Sequence, residues 1–141
     1  MKNNKRASRP SIHLIDSEAD RLADLALAIA DRAPDVSNLL LGEIERAKIV
    51  PVARIPDDVV AMHSEVEFID EGSSARRRVR IVYPLEADVT EGRISVLTHA
   101  GAGLIGLRTG DSIDWPDRDG RTRKIRIISV SQPADEDKAH A

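Results

Sequence analysis

The chain has 141 residues, a formal net charge of −3, 41% apolar and 32% charged side chains, and no cysteine. That length and composition fit one small globular domain with an appendage, and the absence of thiols excludes disulfides and cysteine-ligated zinc. The near-neutral balance gives no general drive toward nucleic acid. With Phe68, Tyr83 and Trp115 the only aromatic residues, an aliphatic core is expected rather than a base-stacking platform or an aromatic-lined pocket.

Residues 1–10 carry Lys2, Lys5, Arg6 and Arg9 among polar residues and read as a flexible basic tail. No apolar signal segment follows them, and no apolar run approaches the ~20 residues of a membrane span. A cytoplasmic protein without membrane contact is expected. Ile12 to Ile15 predicts a short extended segment. Asp16 or Ser17 then caps a helix running to about Asp31, with Leu22, Leu25, Ala26 and Ile29 on one stripe. Ala33-Pro34-Asp35 interrupts it. A second helix follows, roughly Val36 to Ile49, with Leu40, Ile44 and Ala47 or Lys48 facing inward and Pro51 as the stop. Residues 11–51 therefore predict an antiparallel helical hairpin whose arms of about 14 residues project only about 21 Å.

Residues 52–58 read as a linker, and from Val59 the apolar period switches to two. Ser64 to Asp70 and Arg76 to Tyr83 predict a β-hairpin closed by a loop at Glu71 to Ser74. Counting from that loop places Asp70 opposite Ala75, Glu67 opposite Arg78, Val66 opposite Val79 and Glu65 opposite Arg80. Charge pattern and apolar pattern agree on that one register. The arginine run Arg76, Arg78 and Arg80 thus reads as an ion-paired outer face. Pro84 to Gly92 is a connection, with a short strand near Glu86 to Asp88.

Ile94 to Val96 is the next strand. It turns through Thr98, an N-cap, into a short apolar helix over about Ala100 to Leu107, and Gly106 and Gly110 are placed to take positive φ. Gly101-Ala102-Gly103-Leu104-Ile105-Gly106 spells a dinucleotide fingerprint. The helix is too short, however, and no second parallel strand ending in an acidic residue follows, so the glycines read as packing and capping positions. Ser112 to Trp115 and Arg121 to Ser131 are the last strands. In the latter, Ile125 and Ile127 alternate against Ile128 and Val130, which predicts burial on both faces. Residues 133–141 read as a flexible tail. The whole predicts an α+β fold: a short N-terminal helical hairpin followed by an antiparallel sheet, over residues 59–132, with one short helix.

Little in the chain points to catalysis. His13, His63, His99 and His140 lack the spacing of a helical metal site, and no nucleophile elbow is present. His63 reads as a strand-edge residue. His99, on a strand-to-helix turn, is the histidine placed for use. Asp31 and Asp35 at the hairpin tip read as a helix end and an N-cap, with borrowed Mg²⁺ binding as the alternative. No catalytic residue, cofactor or resident metal is expected.

Several blocks, taken together, resemble a known family: Asp-Val-Val-x-Met-x-Ser at Asp58–Ser64, Val-Tyr-Pro at Val82–Pro84, Ile-Ser-Val at Ile94–Val96, and Gly-Leu-Ile-Gly-Leu-Arg-x-Gly-Asp-Ser-Ile at Gly103–Ile113. They resemble the regulator of nucleoside diphosphate kinase family, Rnk, relatives of the Gre transcript cleavage factors, over about residues 10 to 133. The resemblance implies an FKBP-like sheet domain without prolyl isomerase activity. It also implies a monomer that binds RNA polymerase at the rim of the secondary channel and competes with Gre factors without stimulating RNA cleavage, and it implies no sequence-specific contact with nucleic acid. It carries the polymerase contact onto Leu97, Thr98, His99 and Ala100. Here His99 stands where the family usually has proline, and Leu97 where Gre factors have an acidic residue. In Gre factors a much longer coiled coil takes acidic residues to the catalytic Mg²⁺, so the short arm implies that Asp31 and Asp35 fall short of it. The alternatives are a true cleavage factor using those carboxylates and a direct binding regulator of a metabolic kinase.

Overall fold

Strands β3 (Glu65–Asp70) and β4 (Ala75–Val82) pair antiparallel with Asp70 opposite Ala75, Glu67 opposite Arg78, Val66 opposite Val79 and Glu65 opposite Arg80, as the charge and apolar patterns require. The computed structural model that shows this describes residues 10–117 and 119–133; apart from Pro10 and Pro133, both expected tails lie outside the described residues. On the outer face Glu67 receives Arg78 at 3.2 Å and Arg76 at 3.5 Å. These pairs are exposed and each contributes under about 1 kcal/mol.

The chain begins with β1 (His13–Ile15), as expected, and passes directly into α1 (Asp16–Ala28). The expected side-chain cap is absent. Ile15 occupies the N-cap position, and Asp16 lies inside the first turn and accepts only from the neighbouring Ser17 N–H. There its charge still favours the positive end of the helix dipole. α1 stops short of Asp31 because Ile29 turns inward and is buried. α2 (Pro34–Arg46) starts earlier than the apolar stripe suggested: Pro34 takes the first helical position, where its missing N–H costs nothing. The two helices are clasped by the buried Ser37 hydroxyl, which donates to the Ala26 carbonyl at 2.7 Å. α2 also ends early, because the next residues form β2 (Lys48–Val50), paired parallel with β1.

The main sheet has five strands in the order β5-β4-β3-β7-β6, with β5 (Arg93–Ser95), β6 (Ser112–Pro116) and β7 (Thr122–Ser131) completing it. It is antiparallel except at one edge, where β5 runs parallel to β4. The connection between them forms 3-10 turns at Pro84–Glu86 and Val89–Glu91 rather than the expected short strand. α3 (His99–Leu104) crosses the concave face and touches both edge strands, so the sheet curls around it.

The alternation in β7 has a different cause from burial on both faces. The register against β3 shifts between Glu67 and Phe68, which face Ser129 and Ile127, and this leaves Ile128 as the extra residue of a β-bulge. The bulge reverses the facing of all that follows. Val130 therefore joins Ile125 and Ile127 on the core side. One apolar cluster runs from Leu22 and Leu40 of the helices to Ile81, Ile127 and Trp115 of the sheet. Among the described residues no helix is long and apolar enough to cross a membrane.

Where α1 meets the sheet, Glu18 is half-buried and its carboxylate accepts the Met62 N–H at 3.1 Å. Burial raises its carboxyl above the ordinary 4.5, opposed by that hydrogen bond and by His63. A raised value in the folded state means that the folded chain holds the proton longer than the unfolded one. Stability is therefore lost as pH rises from about 4.5 through the folded value. Glu18→Gln keeps an acceptor for Met62 and removes the titration. Its urea midpoint should gain on the wild type across that window and hold the gain above it. A constant difference from pH 4 to 8 would show that Glu18 does not titrate differently on folding.

Candidate functional site

The Thr98–His99 corner is built by local hydrogen bonds. Thr98 Oγ1 accepts the Gly101 N–H at 3.0 Å and donates to the Ser95 carbonyl at 2.7 Å, so one hydroxyl caps α3 and ties it to β5. The Leu97 N–H donates to Ser95 Oγ, and the Thr98 N–H to the Ser95 carbonyl. Below the corner, Trp115 Nε1 donates to the His99 carbonyl at 2.7 Å. Leu97, His99 and Ala100 are half-buried and Thr98 is exposed, whereas residues 101–107 are all buried. The corner is thus a rigid, open turn standing on a sealed helix.

Each glycine of the apparent fingerprint has a packing reason. A Cβ on Gly101 would lie 2.3 Å from the Ser95 carbonyl oxygen, and one on Gly103 would lie 2.7 Å from the Trp115 ring nitrogen. Gly106 has φ +86 and presses against Ile12.

The two motif blocks lie side by side. Gly106 N–H donates to the Val60 carbonyl, Val60 N–H to the Leu107 carbonyl and Thr109 N–H to the Asp58 carbonyl. The Arg108 guanidinium reaches Asp58 Oδ1 at 3.0 Å. The residues at Asp58–Ser64 and Gly103–Ile113 thus form one hydrogen-bonded brace behind α3. Ser64, fully buried, completes it by donating to Gln132 Oε1 at 2.6 Å.

The hairpin carboxylates separate. Asp31 sits exposed at the tip, in the turn between α1 and α2. Asp35 lies in the first turn of α2 and lines a 540 Å³ cleft together with His99 and Asp119. Nothing in the sequence indicates that Asp35 and His99 border one cleft; they are distant in the chain, and only the packing of α2 beside α3 brings them to it. Ala33, not Asp35, holds the N-cap position. Among the described residues no three His, Asp or Glu side chains converge as metal ligands.

Asp117 is committed to structure. Its Oδ1 accepts the N–H groups of Asp119 and Arg121, and its Oδ2 accepts Arg123 Nε at 2.9 Å, bonds that hold its carboxyl below the ordinary range. His63 is no strand-edge residue. It takes φ +72 in a turn, and its Nε2 lies 2.8 Å from Glu86 Oε1.

Residues 55–132 match the family described as transcription elongation factor, GreA/GreB, C-terminal. The chain is 32% identical over 123 residues to the regulator of nucleoside diphosphate kinase of Escherichia coli (strain K12), spanning 87% of this chain and 90% of that protein. It is also 32% identical over 122 residues to the transcription elongation factor GreA of Rhodospirillum rubrum, spanning 81% and 78% respectively. Among solved structures, the prokaryotic transcription elongation factor GreA/GreB from Nitrosomonas europaea superposes with a TM-score of 0.67 at 34% identity, over 86% of this chain and 98% of that one.

Proposed function

The chain belongs to the GreA/GreB family of transcription elongation factors, and from that premise we propose that it binds RNA polymerase at the rim of the secondary channel and competes with Gre factors there without stimulating RNA cleavage. The observation that carries this reading is the length of the arm. α1 and α2 have 13 residues each, an extent of about 20 Å. A Gre-type cleavage factor works by delivering carboxylates along a longer coiled coil to the polymerase Mg²⁺. Here Asp31 is the only carboxylate at the turn itself, and Asp35 has turned toward the sheet. The open corner at Leu97, Thr98, His99 and Ala100 supplies the polymerase contact, as its exposure and rigidity support. The protein is a binder that catalyses nothing, and it acts in the cytoplasm. The link to nucleoside diphosphate kinase carried by the Escherichia coli relative's name is read as an effect on kinase levels rather than contact with the kinase.

Two measurements with purified components test this. Core polymerase should retain the wild-type protein and lose a Leu97→Asp, His99→Asp variant. Equal retention of both, or of neither, would remove the proposed contact. Stalled elongation complexes should release no short 3′ RNA when the protein is added, and they should release less in response to a Gre factor when both are present. RNA release by this protein alone would make it a cleavage factor.

A further inference from the structure

The Leu97–Ala100 corner leaves the sheet at one edge and is held from the other. Ser95 and Thr98 tie it to β5, and Trp115 reaches it from β6; these two strands stand at opposite ends of the sheet order. We infer that Trp115 is the positioning residue of this corner: its indole N–H, bonded to the His99 carbonyl, sets the main chain that a partner meets. This role rests on the reading that the corner contacts polymerase, and it names the side chain that makes the corner fit for that contact.

Trp115 does not act by touching the partner. It is 2% exposed, so a partner meets what the indole holds and not the indole itself. The hydrogen bond to the His99 carbonyl is 2.7 Å long, and the ring is set from two sides. Gly103 lies one turn along α3 from His99. A Cβ there would lie 2.7 Å from Nε1 and 2.8 Å from Cδ1 and Cε2, so the pyrrole part of the ring rests on the helix backbone beside that carbonyl. On the strand side, Trp115 pairs with Arg123 of β7, whose guanidinium binds Asp117 at 2.9 Å and Asp70 at 3.1 Å. The indole therefore stands on immobilised backbone. The bonds on the β5 side run within residues 95–101 and move with the turn, whereas the Trp115 bond ties the turn to a distant strand. The tether uses the His99 main chain and leaves its side chain on the wall of the cleft. A partner that docks on an already ordered turn loses no affinity to ordering it.

The chain has one tryptophan, so an analogue supplied during expression enters at position 115 and nowhere else. 3-Benzothienylalanine keeps the bicyclic shape and puts sulfur in place of the N–H. The full chain carrying it, and Trp115→Phe, should each bind core RNA polymerase roughly tenfold more weakly than the wild type, the effect of one lost hydrogen bond. In both, the N–H groups of Leu97, Thr98 and Gly101 should exchange with deuterium faster, while the β3–β4 hairpin stays protected. Ile81→Val thins the same core on β4 and serves as the structural control, with wild-type affinity and wild-type exchange at the corner. Equal weakening in Ile81→Val, or faster exchange spread evenly over the sheet, would make Trp115 a core residue only and overturn the role. Weakening in Trp115→Phe but not with the analogue would assign the effect to ring volume and overturn the hydrogen bond's part. Wild-type affinity in both, with binding still lost in Leu97→Asp, His99→Asp, would overturn the role and leave the corner standing. Failure of the wild type to bind would overturn both this role and the reading beneath it.

Discussion

Gly101→Ala should destabilise the protein by about 3 kcal/mol or more, enough to lower its thermal midpoint by roughly 10 °C. The new Cβ would lie 2.3 Å from the Ser95 carbonyl oxygen and 2.8 Å from the Val96 Cα. Both are backbone atoms at the end of β5, held by the Val96 N–H bond to Val82 and by the cap at Thr98. No rotamer relieves the contact, so α3 must move off the sheet, and the corner it supports moves with it. Gly103→Ala meets the Trp115 ring, which is buried and tethered to the His99 carbonyl, and should cost nearly as much. Gly42 provides the contrast. It is an exposed helical glycine with nothing within 4 Å of a new Cβ. Gly42→Ala should stabilise the protein by about 0.5–1 kcal/mol. Urea and thermal unfolding of the three variants check the signs. If Gly101→Ala and Gly103→Ala left stability intact, the glycines would not be packing residues, and the rejected phosphate-binding reading would reopen.

Arg46→Ala should cost about 3 kcal/mol, because it strips the arginine from a buried glutamate. Glu43 is 1% exposed on the inward side of α2. Arg46 Nη2 reaches its Oε1 at 2.6 Å, and Nε lies 3.1 Å from both carboxylate oxygens. The same guanidinium donates through Nη1 to the Pro10 carbonyl at 2.7 Å, fastening the start of the described chain to the arm. Replacing both residues, Glu43→Leu with Arg46→Met, should recover most of the loss, since the desolvated charge disappears with its partner. A double-mutant cycle of unfolding free energies measures the coupling. Additive losses would mean that the pair contributes only through its separate contacts.

The β3–β4 hairpin was readable to the residue because two independent patterns, ion pairs outside and valines inside, allow only one register. The Thr98 cap and the left-handed Gly106 and Gly110 were readable because they depend on a few neighbouring residues. Other features were hidden for a common reason. Glu43 sits on a helix face whose apolar stripe gives no hint of a buried acid, because the stripe registers hydrophobicity and not partners. Ile128 mimics two-sided burial, because a bulge and a doubly covered strand leave the same alternation in one chain and differ only in the neighbour's register. β1 and β2 are three residues each and pair in parallel, so neither carries enough pattern to announce the other.

By itself the sequence determined the β3–β4 register, the Thr98 cap, the class of fold, the family and the shortness of the arm, since each rests on spacing within one stretch or on blocks of residue identities. Tertiary structure alone decided that the arm and sheet share a core, that Asp35 borders the same cleft as His99 while Asp31 stays at the tip, and that Arg77 faces inward between two outward-facing arginines. Such placements depend on which surfaces meet once the helices pack beside α3, and that outcome is fixed by burial summed over the whole chain rather than by any segment of it.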